Sequence, residues 1–270
     1  MCPACLATAA WIAAGTTSAG GLAALTVRLN RKEKTVESSK DLPKVASPEA
    51  WLRARKNLLA QEKAFSVQRD ALAEARRALP RVLLDKSYAF EGPQGRRTLA
   101  DLFEGRRQLI VYHFMFDADW DEGCPACAFV ADHFDGTLPH LAARDTSFAA
   151  VSRAPIAKIE AFRKRMGWKF AWLSSYGTDF NHDFGVTLDA GHAEYNYAPV
   201  ADQPEGYPHE GEREGLSVFV REGRQLFHSY STYQRGLDLF LNTYNFLDVT
   251  PLGRQEADGI MRWVRHHDRY

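Results

Sequence analysis

The chain has 270 residues, 45% of them hydrophobic and 25% charged, the balance of a folding globular protein and not of a disordered or collagen-like one. Lys plus Arg and Asp plus Glu are both 34, so the formal charge is zero and the composition speaks against nucleic acid as a partner. Four cysteines are too few to staple a secreted scaffold of this length; they form two copies of one tetrapeptide, Cys2-Pro3-Ala4-Cys5 and Cys124-Pro125-Ala126-Cys127, a pattern of redox or metal chemistry.

Residues 1–33 are an apolar amino-terminal segment in which Leu6 to Leu29 carries one charge, Arg28. Its length suits a bilayer span, whereas its small residues and Gly15, Gly20 and Gly21 weaken insertion and helix formation, so a membrane anchor and a soluble helix stay open as alternatives. The basic residues Arg28, Arg31, Lys32 and Lys34 follow the apolar stretch, which argues against a cleaved signal peptide. By the positive-inside rule they leave the main domain cytoplasmic in either case, free or anchored through residues 6–29.

Residues 34–47, with Ser38, Ser39 and Pro43, read as a linker. The segment 48–80 is an amphipathic helix: Ser47 is placed to cap it, Pro48 and Glu49 suit its first turn, and Pro80 stops it. Trp51, Leu58, Phe65, Leu72 and Leu79 recur every seven residues as one apolar stripe. The preferred reading has the stripe packed on its own domain; the alternative is a short coiled coil that makes the chain a homodimer.

After Pro80 the pattern alternates. Val82–Leu84 and Lys86–Phe90 are short strand candidates, 91–95 a turn, and Thr98–Phe103 one or two helical turns. Leu109 to Phe116 is a continuous apolar run, as expected of a central strand covered on both faces. An acidic loop, 117–123, leads to Cys124 and a helix from Ala126 to Phe134. Thr146–Ser152 and Phe170–Leu173 read as strands around a helix at Pro155–Met166. Residues 174–215 form a long polar excursion, read as a functional loop or lid. A closing hairpin at Leu216–Val220 and Gln225–Tyr230 and a last helix at Gly236–Phe246 complete a mixed α/β sheet flanked by helices.

At a helix start, unpaired backbone N–H groups favour an anion, which makes Cys124 the candidate nucleophile. Cys127, one turn on, is the candidate resolving thiol. Asp117, Asp119, Asp121 and Glu122 oppose a thiolate if they point inward and would then make the pair a weak oxidant. The rival readings are a structural pair and a zinc centre that recruits Cys2 and Cys5, His113 or His133. His182, His192, His209 and His228 follow no metal-binding spacing, and no P-loop, nucleophile elbow or dinucleotide fingerprint is present, so no metal and no cofactor is expected. Ser229, Ser231 and Tyr233 are either pocket lining or ordinary strand residues.

The chain resembles the DUF899 family of bacterial thioredoxin-like proteins from about Trp51 to Arg254. The resemblance is carried by Arg76-Arg77-Ala78-Leu79-Pro80, Leu99-Ala100-Asp101-Leu102-Phe103-Glu104-Gly105, Tyr112-His113-Phe114-Met115-Phe116 ahead of Gly123-Cys124, and Ser152-Arg153-Ala154-Pro155. It continues in Arg165-Met166-Gly167-Trp168, Asp179-Phe180-Asn181, His228-Ser229-Tyr230-Ser231-Thr232-Tyr233 and Pro251-Leu252-Gly253-Arg254. It implies an α/β, thioredoxin-like or peroxiredoxin-like domain at 81–254, with a helical extension before it and a tail at 255–270. The implied activity is dithiol–disulfide exchange at Cys124 and Cys127 on a thiol or disulfide substrate; a non-catalytic binding module and a thiol peroxidase are the alternatives. Two departures from the thioredoxin pattern point to a narrow substrate. No aromatic residue directly precedes Cys124, Trp120 being four positions earlier, and no groove-forming proline stands near Gly215-Leu216.

Overall fold

A computed structural model describes residues 42–203 and 208–270. The apolar segment Leu6 to Leu29 and the cysteines Cys2 and Cys5 lie outside them; no helix among the described residues is long and apolar enough to cross a membrane.

Helix α1 spans Pro48–Arg77, with the Ser47 hydroxyl accepting from Ala50 N at 3.2 Å, Pro48 in its first turn and Arg76 and Arg77 in its last. None of its residues is buried. The expectation that its stripe packs on its own domain is therefore wrong: Trp51 and Phe65 are 61% and 64% exposed. A guanidinium over a ring, Arg76 on Tyr230, is a contact from its last turn to the domain.

The strands are β1 (Val82–Leu83), β2 (Ala89–Gly92), β3 (Gly95–Thr98), β4 (Gln108–His113), β5 (Thr146–Ser152), β6 (Ala171–Ser174), β7 (Thr187–Leu188), β8 (Glu194–Tyr195), β9 (Ala198–Pro199), β10 (Gly211–Glu212), β11 (Gly215–Glu222) and β12 (Gln225–Tyr233). The remaining helices are α2 (Pro125–Ala131), α3 (Leu138–Ala142), α4 (Ile156–Arg165), α5 (Phe180–Asp183) and α6 (Asn242–Leu247). Eight strands form the main sheet in the order β1-β12-β11-β4-β5-β6-β2-β3. β4, β5 and β6 are parallel, whereas β11 runs antiparallel to both β4 and β12. A parallel pair joined through a helix, followed by an antiparallel hairpin added beside its first strand and a closing helix, is the thioredoxin-like arrangement.

Side chains alternate across the central strands, as strand geometry requires. Leu109, Val111, Ala149, Val151 and Phe219 enter one core with Phe90, Phe103 and Phe180. Tyr112, Ala150 and Leu216 enter the other, with the aromatic group Phe114, Phe116, Phe162, Trp168 and Trp172 and with α2. The excursion after Ser174 is not a structureless lid. It holds α5, the small hairpin β8–β9 and the pair β7–β10, with a third small core of Val186, Leu188, Tyr195, Val200 and Tyr233.

Folded structure also continues past the limit at 254. Val264 is buried in the α2 core and Trp263 packs on Phe129, so residues 255–270 close the domain instead of trailing from it.

Candidate functional site

The site is built where β4 hands over to α2. The ladder ends at His113, but the chain stays tied to its neighbours: Phe114 N donates to Val151 O at 2.9 Å, Cys124 N to Met115 O at 3.0 Å and Ala154 N to Phe116 O at 2.7 Å. Cys124 is thus bound directly to the end of the central strand. It caps α2, with Pro125 in the first turn and Ala128 N returning to Cys124 O at 2.9 Å.

Gly123 has to be glycine. A Cβ there would stand 2.6 Å from the Phe114 ring and 2.9 Å from that of Phe162, so the aromatic residue expected just before Cys124 has no room.

Both sulfurs carry thiols without a disulfide, and each residue is only 2% exposed. Burial, then the adjoining Cys124, then Glu214 hold the Cys127 thiol well above its ordinary pKa. Cys127 keeps its proton and hydrogen-bonds to the Cys124 sulfur. The Tyr112 hydroxyl lies buried beside Cys127, with no partner in good hydrogen-bonding geometry.

The acidic loop is held beside the site, and its Glu122 lines the cleft that Cys124 borders. Lys158 Nζ ties the loop down through Ala118 O and Trp120 O, at 2.7 and 3.0 Å. Burial of Glu122 works against its ionisation, but its bond to Arg269 and the charges of Arg165 and Arg269 outweigh that, and its carboxyl sits below its usual range.

The carboxyl that does bear on the pair is Glu214, which sequence reasoning missed. It immediately precedes β11, beside the position where a groove-forming proline was expected. Burial, assisted by Cys124, pushes it up to about 7. A second carboxyl, Glu212, has a fully buried side chain held by Thr187 Oγ1 at 2.7 Å, Asn181 Nδ2 at 3.1 Å and Arg153 Nη1 at 3.3 Å. Burial raises it to about 7 against those partners. The only signal in the sequence was a charged Glu-Arg-Glu run at the mouth of an apolar strand.

Cys124 lies between two spaces. One is a cleft of about 620 Å³ lined by Trp120, Glu122, Arg213, His266 and Arg269 among others. The other is a smaller, mainly apolar pocket of about 60 Å³, partly open to the surface at Arg235 and bordered by Cys127, Val130, Leu237, Leu241 and Met261. His266, also missed, roofs the site from the carboxy terminus: its Nε2 is 2.9 Å from Gly123 O and its ring packs edge-on against Phe162. Arg165 anchors this segment by a two-pronged pair with Asp268 and a contact to His266 Nδ1.

The other histidines considered from sequence are elsewhere. His113 faces the opposite core, 2.8 Å from Ser217 Oγ, with burial driving its pKa down to about 3. Ser217, Ser231 and His228 extend that chain at 2.8 and 2.7 Å, away from the cysteines. His133 contacts Thr243 Oγ1 at 2.8 Å. Neither His113 nor His133 completes a zinc centre with Cys124 and Cys127.

Strand order and the dithiol at the head of α2 define a thioredoxin-like domain with a C-x-x-C pair. The chain belongs to the DUF899 family, described as bacterial proteins of unknown function, whose profile matches residues 40–270. No curated protein matches it. Among solved structures it is similar in outline to the peroxidoxin BcpB of Mycobacterium tuberculosis, at 15% identity over 61% of this chain and 94% of that one, with a TM-score of 0.43. A mutant of Xylella fastidiosa PrxQ gives 15%, 59%, 88% and 0.40, and a putative protein disulfide isomerase of Bacteroides thetaiotaomicron 17%, 62%, 91% and 0.35. Likeness at this level carries nothing about activity.

Proposed function

We propose that the protein is a dithiol–disulfide oxidoreductase in which Cys124 attacks and Cys127 resolves. The observation that carries this reading is the asymmetry of the pair: Cys124 lines the larger cleft, whereas Cys127 does not reach it, and burial raises the Cys127 thiol well above its ordinary pKa. The Cys124 thiolate attacks one sulfur of a disulfide, and the other sulfur leaves as a thiol after taking a proton. Cys127 then loses its proton and attacks Cys124 Sγ; the Cys124–Cys127 disulfide forms and the second substrate thiol leaves. Two electrons pass from the protein to the substrate. Glu214, poised near neutrality beside the pair, suits the role of proton acceptor for these steps.

With Cys124 only 2% exposed, a slender substrate fits better than the surface disulfide of a folded protein. The same burial favours one second reading, a thiol peroxidase. There the Cys124 thiolate displaces water or an alcohol from a hydroperoxide, and Cys127 condenses with the sulfenic acid with loss of water.

The deciding experiment is equilibration with glutathione or dithiothreitol buffers, trapping thiols at each potential. A reversible two-electron transition at Cys124 and Cys127 supports redox chemistry. Thiols that never pair, or a disulfide reducible only on unfolding, overturn it in favour of a non-catalytic binding module. Rates with a small disulfide, hydrogen peroxide and insulin then rank the substrate classes.

A further inference from the structure

His182, Asp189 and His192 have no recognisable metal-binding spacing in the sequence, yet the fold brings them together. His182 lies on α5, and Asp189 and His192 face each other across the turn after β7 as an isolated antiparallel bridge. One donor atom from each of the three lies within 4.8 Å of the others. The two imidazole rings are 4.4 Å apart between centroids. Asp189 Oδ1 is 2.9 Å from His192 Nδ1, and Asp189 Oδ2 is 3.6 Å from His182 Nδ1.

Two observations distinguish this from an ordinary surface ion pair. First, His182 Nδ1 is buried with no hydrogen-bond partner. The 3.6 Å to Asp189 is too long for a hydrogen bond. It is close to the separation, about 3.3 Å, of two atoms each about 2.0–2.1 Å from one tetrahedral ion. Second, the neighbouring carboxylates are engaged elsewhere: Lys86 Nζ takes Asp179 at 2.8 Å and Asp183 at 2.6 Å, which leaves Asp189 as the anion facing both rings.

We propose that His182, Asp189 and His192 bind a divalent transition-metal ion of the zinc type. Two imidazoles and one carboxylate suit zinc, cobalt or nickel and leave a fourth position for water. Asp189 and His192, about half exposed, provide the entry path. The ion ties α5 to β7. β7 pairs with β10 through Leu188 with Gly211 and Thr187 with Glu212, and β10 runs two residues later into Glu214 beside Cys124. Metal occupancy therefore stiffens the strap that delivers Glu214 to the thiols.

Cobalt(II) is the probe, because thiolate ligation produces a sulfur charge-transfer absorption that a nitrogen and oxygen set lacks. It is titrated into the full chain and into a full chain with Cys2, Cys5, Cys124 and Cys127 all replaced by serine. The cysteine-free chain is expected to bind one equivalent without the sulfur band, and zinc(II) to raise its Tm. In that background His192→Gln, at an exposed position, and Asp189→Asn are expected to weaken cobalt binding by more than about tenfold and to abolish the Tm rise. A cysteine-free chain that binds no cobalt, or a His192→Gln variant that binds it as its parent does, overturns the proposal.

Discussion

Replacing Glu214 by glutamine tests whether a buried carboxyl is held against the thiols at a cost in stability. Burial, with Cys124 adding to it, raises the Glu214 carboxyl from 4.5 to about 7. At about 1.4 kcal/mol per unit, that difference is worth about 3 kcal/mol. The native chain keeps a proton that the unfolded chain has already lost between these two values, so stability falls as pH rises through the window. The penalty is absent below 4.5 and fully present above about 7. Glutamine is neutral in both states. Glu214→Gln should therefore gain on the parent by about 3 kcal/mol between about pH 5 and about pH 8, or roughly 6–12 °C in Tm for a domain of this size. The assay is thermal or urea unfolding of the reduced protein at both pH values. Comparing the two cancels the constant cost of packing an amide there. An equal gap between variant and parent at both pH values would refute the reasoning.

With Cys2 and Cys5 replaced by serine, Cys127→Ser should trap a small disulfide as a stable adduct on Cys124, and Cys124→Ser should trap none, by intact mass; an adduct on Cys124→Ser and none on Cys127→Ser would reverse the assigned roles. Gly123→Ala should lower stability by about 1–3 kcal/mol in urea unfolding, because the new Cβ meets Phe114 at 2.6 Å and Phe162 at 2.9 Å. Unchanged stability would show that the rings yield freely. His266→Ala removes the 2.9 Å contact to Gly123 O and strips cover from the site. It should cost about 1–3 kcal/mol and speed alkylation of Cys124; an unaltered rate would mean the carboxy-terminal segment does not guard the sulfur.

Much of the architecture was readable locally. The segment Thr146–Ser152 forms a strand with the limits read from the sequence, and the apolar run from Leu109 supplies β4 at the centre of the sheet. Proline and a capping serine set the start of α1. The boundary of β4 was not readable: Phe114, Met115 and Phe116 are as apolar as the strand, but their backbone groups bond to Val151, Cys124 and Ala154 instead of continuing the ladder. The stripe of α1 shows a further limit. Its heptad spacing states that an apolar face exists, but nothing in one helix says whether its own domain covers that face.

The cysteine pair at a strand-to-helix junction was visible because every determinant lies within about twenty neighbouring residues. Glu214 and His266 were invisible because they reach Cys124 from 90 and 142 positions away. Their effect arises from burial and close contact, and no local pattern encodes either. By itself the sequence determined the alternation of strands and helices and the helix start that carries Cys124 and Cys127, since these follow from short-range periodicity and turn chemistry, while its scattered motifs carried the resemblance to the family. Only the tertiary structure decided which carboxyl faces the sulfurs, which segment covers them and which histidines meet. Those depend on how distant pieces of chain share one low-dielectric space.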